Sequence, residues 1–214
     1  MTHSNLAALQ ANGIVFHWPR AYDFIVWAAF LGKERRYREK LIALARIQAG
    51  DRVLDVGCGT GTLAIAAQER AGSAGKVYGV DPSPEMIATA RRKAAKAGTD
   101  VRFVEGSAAA LPFPDASFDV ILSTTMLHCL AADVQPRFIR EAHRKLKPGG
   151  RFLAVDFGGS AASKTTLLSK MRHHRQFDLE RLIPAFDQAG FVELETGDVG
   201  YHNLRFILAT VRND

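Results

Sequence analysis

Short apolar runs alternate with longer, mixed stretches through most of this chain. Apolar runs fall at 53–57, 77–81, 101–105, 118–123 and 150–156, and each is short enough for a strand buried in a sheet. The segments between them, 60–71, 84–97 and 134–146, read as helices. Strand–helix alternation predicts a parallel sheet with helices on both faces. Right-handed crossovers then put the strand carboxyl ends on one edge, where ligands bind. Further on, 178–189 reads as a helix stopped by Gly190, and 191–195 and 203–211 as a closing antiparallel pair. The expected fold class is therefore α/β: a doubly wound, seven-stranded, mostly parallel sheet with an antiparallel last strand pair.

The flanks read differently. Residues 1–13 look loosely tied. Residues 14–37 hold Phe16, Trp18, Tyr22, Phe24, Trp27, Phe30 and Tyr37. A helix over 20–31 would line up Phe24, Trp27, Ala28 and Leu31 on one stripe. It either packs on the core or caps the ligand edge with an apolar wall. Lys33–Lys40, KERRYREK, begins a helix running to Ala45. Its charges form a solvated face or a basic edge for phosphate or a membrane surface. Residues 158–163 are small and polar, a linking segment. Residues 164–175 are basic with Leu167, Leu168 and Met171 on one side, either a surface helix or a lid that meets a membrane surface. The expected division is an N-terminal helical cap segment, 1–48, and a ligand-binding domain, 49–214.

The chemistry concentrates at Val53–Gly61, VLDVGCGTG. A strand breaks into glycines and resumes as a helix. That lets the backbone approach a ligand closely and aims unpaired helix N–H groups at it. Asp81 stands twenty residues past Gly61, at the tip of the second apolar run, where an acid accepts hydrogen bonds from a ribose diol. The glycines at 57, 59 and 61 are spaced G-x-G-x-G, and position 62 is Thr. The dinucleotide fingerprint is G-x-G-x-x-G. Asp55 would repel a pyrophosphate and suits a ligand with a positive ammonium or sulfonium centre. A nicotinamide-dependent oxidoreductase is thereby disfavoured.

VLDVGCGTG, GVDPSPEMI (79–87), GSAAALPFPDASFDVILST (106–124) and LKPGGRFL (146–153) follow one another in order. Together they resemble the class I S-adenosylmethionine-dependent methyltransferases, from about residue 50 to 156. The resemblance implies a Rossmann-like fold and S-adenosylmethionine as cofactor, with S-adenosylhomocysteine as product. It implies that Gly57, Cys58, Gly59 and Gly61 lie against the methionine part, with Asp55 toward its ammonium group. Asp81 and Pro82 would meet the ribose side, Met86 the adenine face or the core, and Ala108 the adenine ring through its N–H. Ser107 stands where the family most often has Asp, and a hydroxyl accepts less strongly than a carboxylate. Ser123 ends the fourth strand beside the cofactor. Ser83 reads as the N-cap of the helix that Pro84 opens. Asp115 and Asp119 read as structural.

Ser123–His128 would face the transferable methyl group, and His128 is its one ionisable side chain. His128 is the catalytic candidate: a general base or substrate ligand, against a positioning residue held by hydrogen bonds. Phe16-His17 and Tyr22-Asp23 resemble the start of the ubiquinone/menaquinone-biosynthesis C-methyltransferases. His17, Trp18, Tyr22, Thr124 and His128 are the expected acceptor-lining residues. No Asn-Pro-Pro-Tyr tetrapeptide, zinc spacing, phosphate loop or internal repeat appears, and no metal is expected.

Composition narrows the rest. The chain has 214 residues, 47% hydrophobic and 23% charged, which suits one ordinary globular domain. Two cysteines make a disulfide framework unsuited. The beginning shows no signal-peptide pattern, so cytoplasm is the expected compartment. A net charge of +6 permits peripheral contact with an acidic membrane surface without marking a nucleic-acid binder. The expected partner is a small methyl acceptor, lipophilic or anionic, such as a quinone precursor or phospholipid headgroup. A small polar metabolite, a homodimer and a non-catalytic cofactor-binding role stay open.

Overall fold

A computed structural model describes residue 19 and residues 32–159 and 177–213. The helix expected over 20–31, the aromatic residues before it and the basic stretch over 164–175 lie outside the described residues. The elements in order are α1 (Glu34–Leu44), β1 (Arg52–Val56), α2 (Thr62–Ala71), β2 (Lys76–Asp81), α3 (Pro84–Ala97), β3 (Arg102–Glu105), β4 (Phe118–Thr124), α4 (Val134–Lys145), β5 (Leu146–Phe157), α5 (Ile183–Ala189), β6 (Phe191–Asp198) and β7 (Leu204–Val211). The strands form one sheet in the order β3-β2-β1-β4-β5-β7-β6. β1 to β5 pair in parallel, and β7 runs antiparallel between β5 and β6. This is the expected doubly wound sheet. Its order reverses between β1 and β4, which opens a crevice at their carboxyl ends.

Each strand sends alternate side chains to opposite faces. Val53, Val77, Phe103, Val120, Leu153 and Val155 join one core with Leu41 of α1, Leu63 and Ala67 of α2 and Ile87 and Ala90 of α3. Leu54, Val80, Ile121, Phe152, Ala154 and Ile207 join the other with Phe138 and Ile139 of α4 and Phe186 of α5. α1 buries Tyr37, Leu41 and Ile42. Arg35 pairs with Glu39 on the helix's exposed face, and Arg38 with Glu34 where both side chains are partly buried.

Three boundaries differ from the sequence reading by more than two residues, one of them the end of β6, which runs on to Asp198 rather than 195. β5 begins at Leu146 rather than 150, because Phe118 pairs with Leu146 and the register shifts before Val120 meets Arg151. The Lys147–Gly150 turn is absorbed into the strand as an irregularity. The helix expected from 178 opens as a 3-10 turn, Leu179–Leu182. Pro184 has no N–H to donate to the carbonyl four residues back, so regular α-helix begins only at Ile183. Asp119 accepts from Arg52 N at 2.8 Å and Lys147 Nζ at 2.7 Å, joining β1, β4 and β5. Asp115 pairs with Arg144 and Lys145. Among the described residues no helix is long and apolar enough to cross a membrane.

The ring of Phe103 occupies space left by two glycines. A Cβ on Gly79 would stand 2.6 Å from Phe103 Cδ1 and 2.9 Å from Cys58 Sγ, and one on Gly61 would stand 2.6 Å from Phe103 Cζ. Gly79→Ala is therefore expected to destabilise the chain by about 1–3 kcal/mol through overpacking. Adding Phe103→Leu should recover part of that loss. Denaturant unfolding of both variants measures it, and a double variant no more stable than Gly79→Ala would refute the shared wedge.

Candidate functional site

The glycine loop leaves β1 and is laid over the end of β2. Gly57 N and Cys58 N both donate to Val80 O, at 2.8 and 3.0 Å, and Gly61 N donates to Cys58 O at 2.9 Å. Gly61 takes φ +78° as N-cap of α2, a left-handed conformation that favours glycine. Cys58 is buried and its Sγ packs beside Gly79. Burial, with Asp55 and Asp81 nearby, pushes its thiol well above the usual range, so it acts as a small, inert filler.

Asp81 fastens this loop to the next element. Its Oδ2 accepts from Gly59 N and its Oδ1 from Ser83 N, both at 2.9 Å. One carboxylate thus fixes the glycine loop and the start of α3. Ser83 caps that helix as expected, accepting from Met86 N at 3.3 Å, with Pro84 in the first turn. The Met86 side chain is buried, and Pro82 is half-buried beside it. Gly106 N reaches Asp81 O at 3.2 Å, bringing the end of β3 to the same edge. Ser107 Oγ accepts from Ala109 N at 3.2 Å. The hydroxyl is used in a local turn, and Ala108 is half-buried next to it.

Asp55 lies beneath the loop, 1% exposed. Its Oδ2 has no hydrogen-bond partner among the described residues. Burial raises its pKa to about 7, Asp81 adds to the rise, and the Ala64 N–H lowers it in part. A buried acid with an unpaired oxygen beside a second acid is a place for a positive group.

The second half of the edge is the end of β4. Ser123 is fully buried, and its Oγ lacks a partner among the described residues. Thr124 is half-buried. Thr125 takes φ +49°, unusual for a β-branched residue, and its N–H donates to Val155 O at 2.7 Å. Met126 then packs on Gly57, with its Cβ 2.9 Å from where a Cβ on that glycine would stand. The β4 loop and the glycine loop therefore touch.

His128 sits in the 3-10 turn Leu127–Cys129 that follows. Its Nδ1 is 2.8 Å from Asp156 Oδ1, and its backbone N donates to Asp156 Oδ2 at 3.1 Å. Its Nε2 is 3.3 Å from Cys129 Sγ. Phe157 and Phe177 meet the imidazole edge-on at 5.0 and 6.2 Å between centroids. Burial alone would lower the His128 pKa, but the Asp156 hydrogen bond and then Cys129 raise it to about 10. The Asp156 hydrogen bond therefore favours the protonated imidazole. Asp156 was legible only as a pocket border. Its role as the partner of His128 depends on strand alternation, since it faces the same side as Phe152 and Ala154.

Of the residues singled out from sequence, the strand edge brings together Asp55, the glycines, Cys58, Asp81, Pro82, Ser107 and Ala108. Ser123, Thr124 and His128 stand at the adjoining strand end. His17, Trp18 and Tyr22 lie outside the described residues.

The chain matches known proteins in sequence and in fold. A family profile described as "Methyltransferase domain" matches residues 53–150. The chain is 34% identical over 180 residues to the ubiquinone/menaquinone biosynthesis C-methyltransferase of Marinomonas sp., covering 83% of this chain and 68% of that protein. The chain belongs to the class I S-adenosylmethionine-dependent methyltransferases. It is 40% identical over 136 residues to the demethylmenaquinone methyltransferase of Thermus thermophilus, covering 64% of this chain and 60% of that relative's length. A solved structure of an S-adenosylmethionine-dependent methyltransferase from Aquifex aeolicus shares the fold. Its TM-score is 0.70 at 24% identity, over 81% of this chain and 89% of the other.

The raised Asp55 has a consequence for stability. Between pH 3.8, its ordinary value, and about 7, the folded chain keeps a proton that the unfolded chain has released. Stability must then fall as pH rises through that window. The ligand-free chain should lose melting temperature relative to Asp55→Asn between those limits, and the two should converge below them. Parallel melting curves at all pH values would contradict the assignment.

Proposed function

We propose that this chain transfers a methyl group from S-adenosylmethionine to a carbon of a small aromatic acceptor of the reduced-quinone type. The observation that carries this reading is the His128 imidazole, hydrogen-bonded to the buried Asp156 and held among Phe157 and Phe177 in the turn that follows β4. The names of two relatives, a demethylmenaquinone methyltransferase and a ubiquinone/menaquinone biosynthesis C-methyltransferase, point to the same acceptor class.

The residues fit the cofactor. Asp55 offers an unpaired buried oxygen to a positive group, and the Gly57–Gly61 backbone is fixed over the end of β2 beside it. Asp81 supplies a carboxylate whose orientation is already fixed. When bound, S-adenosylmethionine supplies a methyl group already activated by positive sulfur. The chain then has to align the acceptor and keep water out, and alignment alone is worth on the order of 7–11 kcal/mol. Phe157 and Phe177 give a flat ring an apolar wall. A reduced quinone becomes a carbon nucleophile as a ring oxygen loses its proton, and the His128 imidazolium stabilises that oxygen anion. Asp156 holds the imidazolium in place and in charge. In this reading His128 is an electrostatic partner rather than the base.

The test combines an acceptor panel with a pH profile. Radiolabelled methyl transfer to a reduced, ring-unsubstituted naphthoquinone is expected, with none to phosphoethanolamine. The His128 cation persists up to about pH 10 in the natural chain. In Asp156→Asn it should be lost as pH rises through roughly 6.5, so the alkaline fall in kcat moves down by several pH units. The acceptor's own ionisation is common to both proteins and cancels in the comparison. An unshifted profile in Asp156→Asn would rule out the electrostatic role.

A further inference from the structure

Cys129, His128 and Asp156 form a linear series of nucleophile, base and orienting acid. Cys129 Sγ lies 3.3 Å from His128 Nε2, and His128 Nδ1 lies 2.8 Å from Asp156 Oδ1. Asp156 is fully buried and cannot turn away, because its carboxylate also accepts from the backbone N of His128 and, at 2.8 Å, of Phe157. This is the arrangement that activates cysteine nucleophiles. Among the described residues no cluster of three or more His, Cys, Asp and Glu is set to hold a metal ion. Methyl transfer needs no nucleophile on the protein, so this thiol has no task in the proposed reaction. Cys129 is half-buried, whereas Cys58 is buried.

We propose that Cys129 is an activated nucleophile that captures the oxidised, quinone form of the acceptor as a covalent thioether. The identity of the electrophile rests on the acceptor class proposed above; the nucleophile rests on geometry alone. A reduced quinone with an open ring carbon is electron-rich there and accepts a methyl group. Its oxidised form is electron-poor at the same carbon and accepts a thiol. The Cys129 sulfur adds to that carbon and the C–S bond forms. The displaced ring electron pair moves to a carbonyl oxygen, which takes the thiol's proton by way of His128. The hydrogen on the attacked carbon then leaves as a proton and ends on the second oxygen. The quinone is reduced by two electrons to a hydroquinone thioether, the sulfur supplies them, and no further reagent is required. His128 Nε2, 3.3 Å from the Cys129 sulfur, is the atom placed to relay the thiol's proton. The consequence is a site that methylates the reduced acceptor and is stopped by the oxidised one.

The experiment treats the full chain with iodoacetamide and, separately, with 1,4-naphthoquinone, and maps the products by mass spectrometry. The expected result is single modification at Cys129 by both probes, abolished in Cys129→Ser and unchanged in Cys58→Ser. The rate should fall about ten-fold or more in His128→Gln and in Asp156→Asn. Unreacted Cys58 in these two variants reports that they are folded. Equal rates in the natural chain and both variants would overturn the activation, as would reaction no faster than that of a free thiol. Iodoacetamide labelling without a naphthoquinone adduct would overturn the capture. Methyl transfer assayed in parallel keeps the two readings apart. Transfer to the reduced quinone with no adduct from its oxidised form removes the capture alone. An adduct without transfer removes the proposed acceptor reaction alone.

Discussion

The site depends on how closely the glycine loop lies over the end of β2. Two N–H groups of the loop share the Val80 carbonyl, and the Asp81 carboxylate ties Gly59 to the start of α3. A side chain at Gly61 or Gly79 would collide with the Phe103 ring, which already fills that space. Sequence, packing and site geometry meet at this point. A strand on the sheet edge supplies the aromatic ring, two glycines make room for it, and the loop settles where an acid can hold it.

Holding the loop down has an electrostatic consequence. Asp55 and Asp81 are brought into one poorly solvated region, and the deeper acid loses most of its hydration. Two acids that repel each other in the ligand-free chain become an advantage when a positive group arrives. The strain is therefore stored where the ligand relieves it, which is common at functional sites. Cys58, which shares that region, is driven toward its neutral form by burial and then by the same charges.

Much of this could be read from residue order. Strand–helix alternation fixed the sheet and its antiparallel close, since short doubly apolar runs have few other uses. The glycine spacing with Asp55 and Asp81 marked residues that the fold brings together at the strand ends, because those residue types suit close approach and charge. The Ser83-Pro84 cap was legible for the same local reason. What stayed hidden depended on tertiary register. The extension of β5 back to Leu146 comes from a shift in pairing with β4, and no local pattern carries that. The pairing of His128 with Asp156 joins residues 28 positions apart. His128 read alone is an ordinary titrating imidazole. Only the buried carboxylate behind it makes it a lasting cation, and only the turn that places Cys129 at its other nitrogen makes a series of three.

The two halves of the crevice have opposite charge preferences. At the end of β1 the unpaired Asp55 oxygen favours a cation, and at the end of β4 the His128 imidazolium favours an anion. Met126 packed on Gly57 keeps these halves in contact. Under the proposed reaction a positive donor and a negative acceptor are drawn to adjoining places, and both lose charge as the methyl group passes between them. A reaction that cancels charge gains from leaving water, because bulk solvent stabilises the separated ions more than the transition state. In that proposed reaction the apolar rings of Phe157 and Phe177, packed on His128, would do more than fit a flat ring. They would supply low-polarity surroundings, while Asp156 would hold the imidazole proton in that same environment.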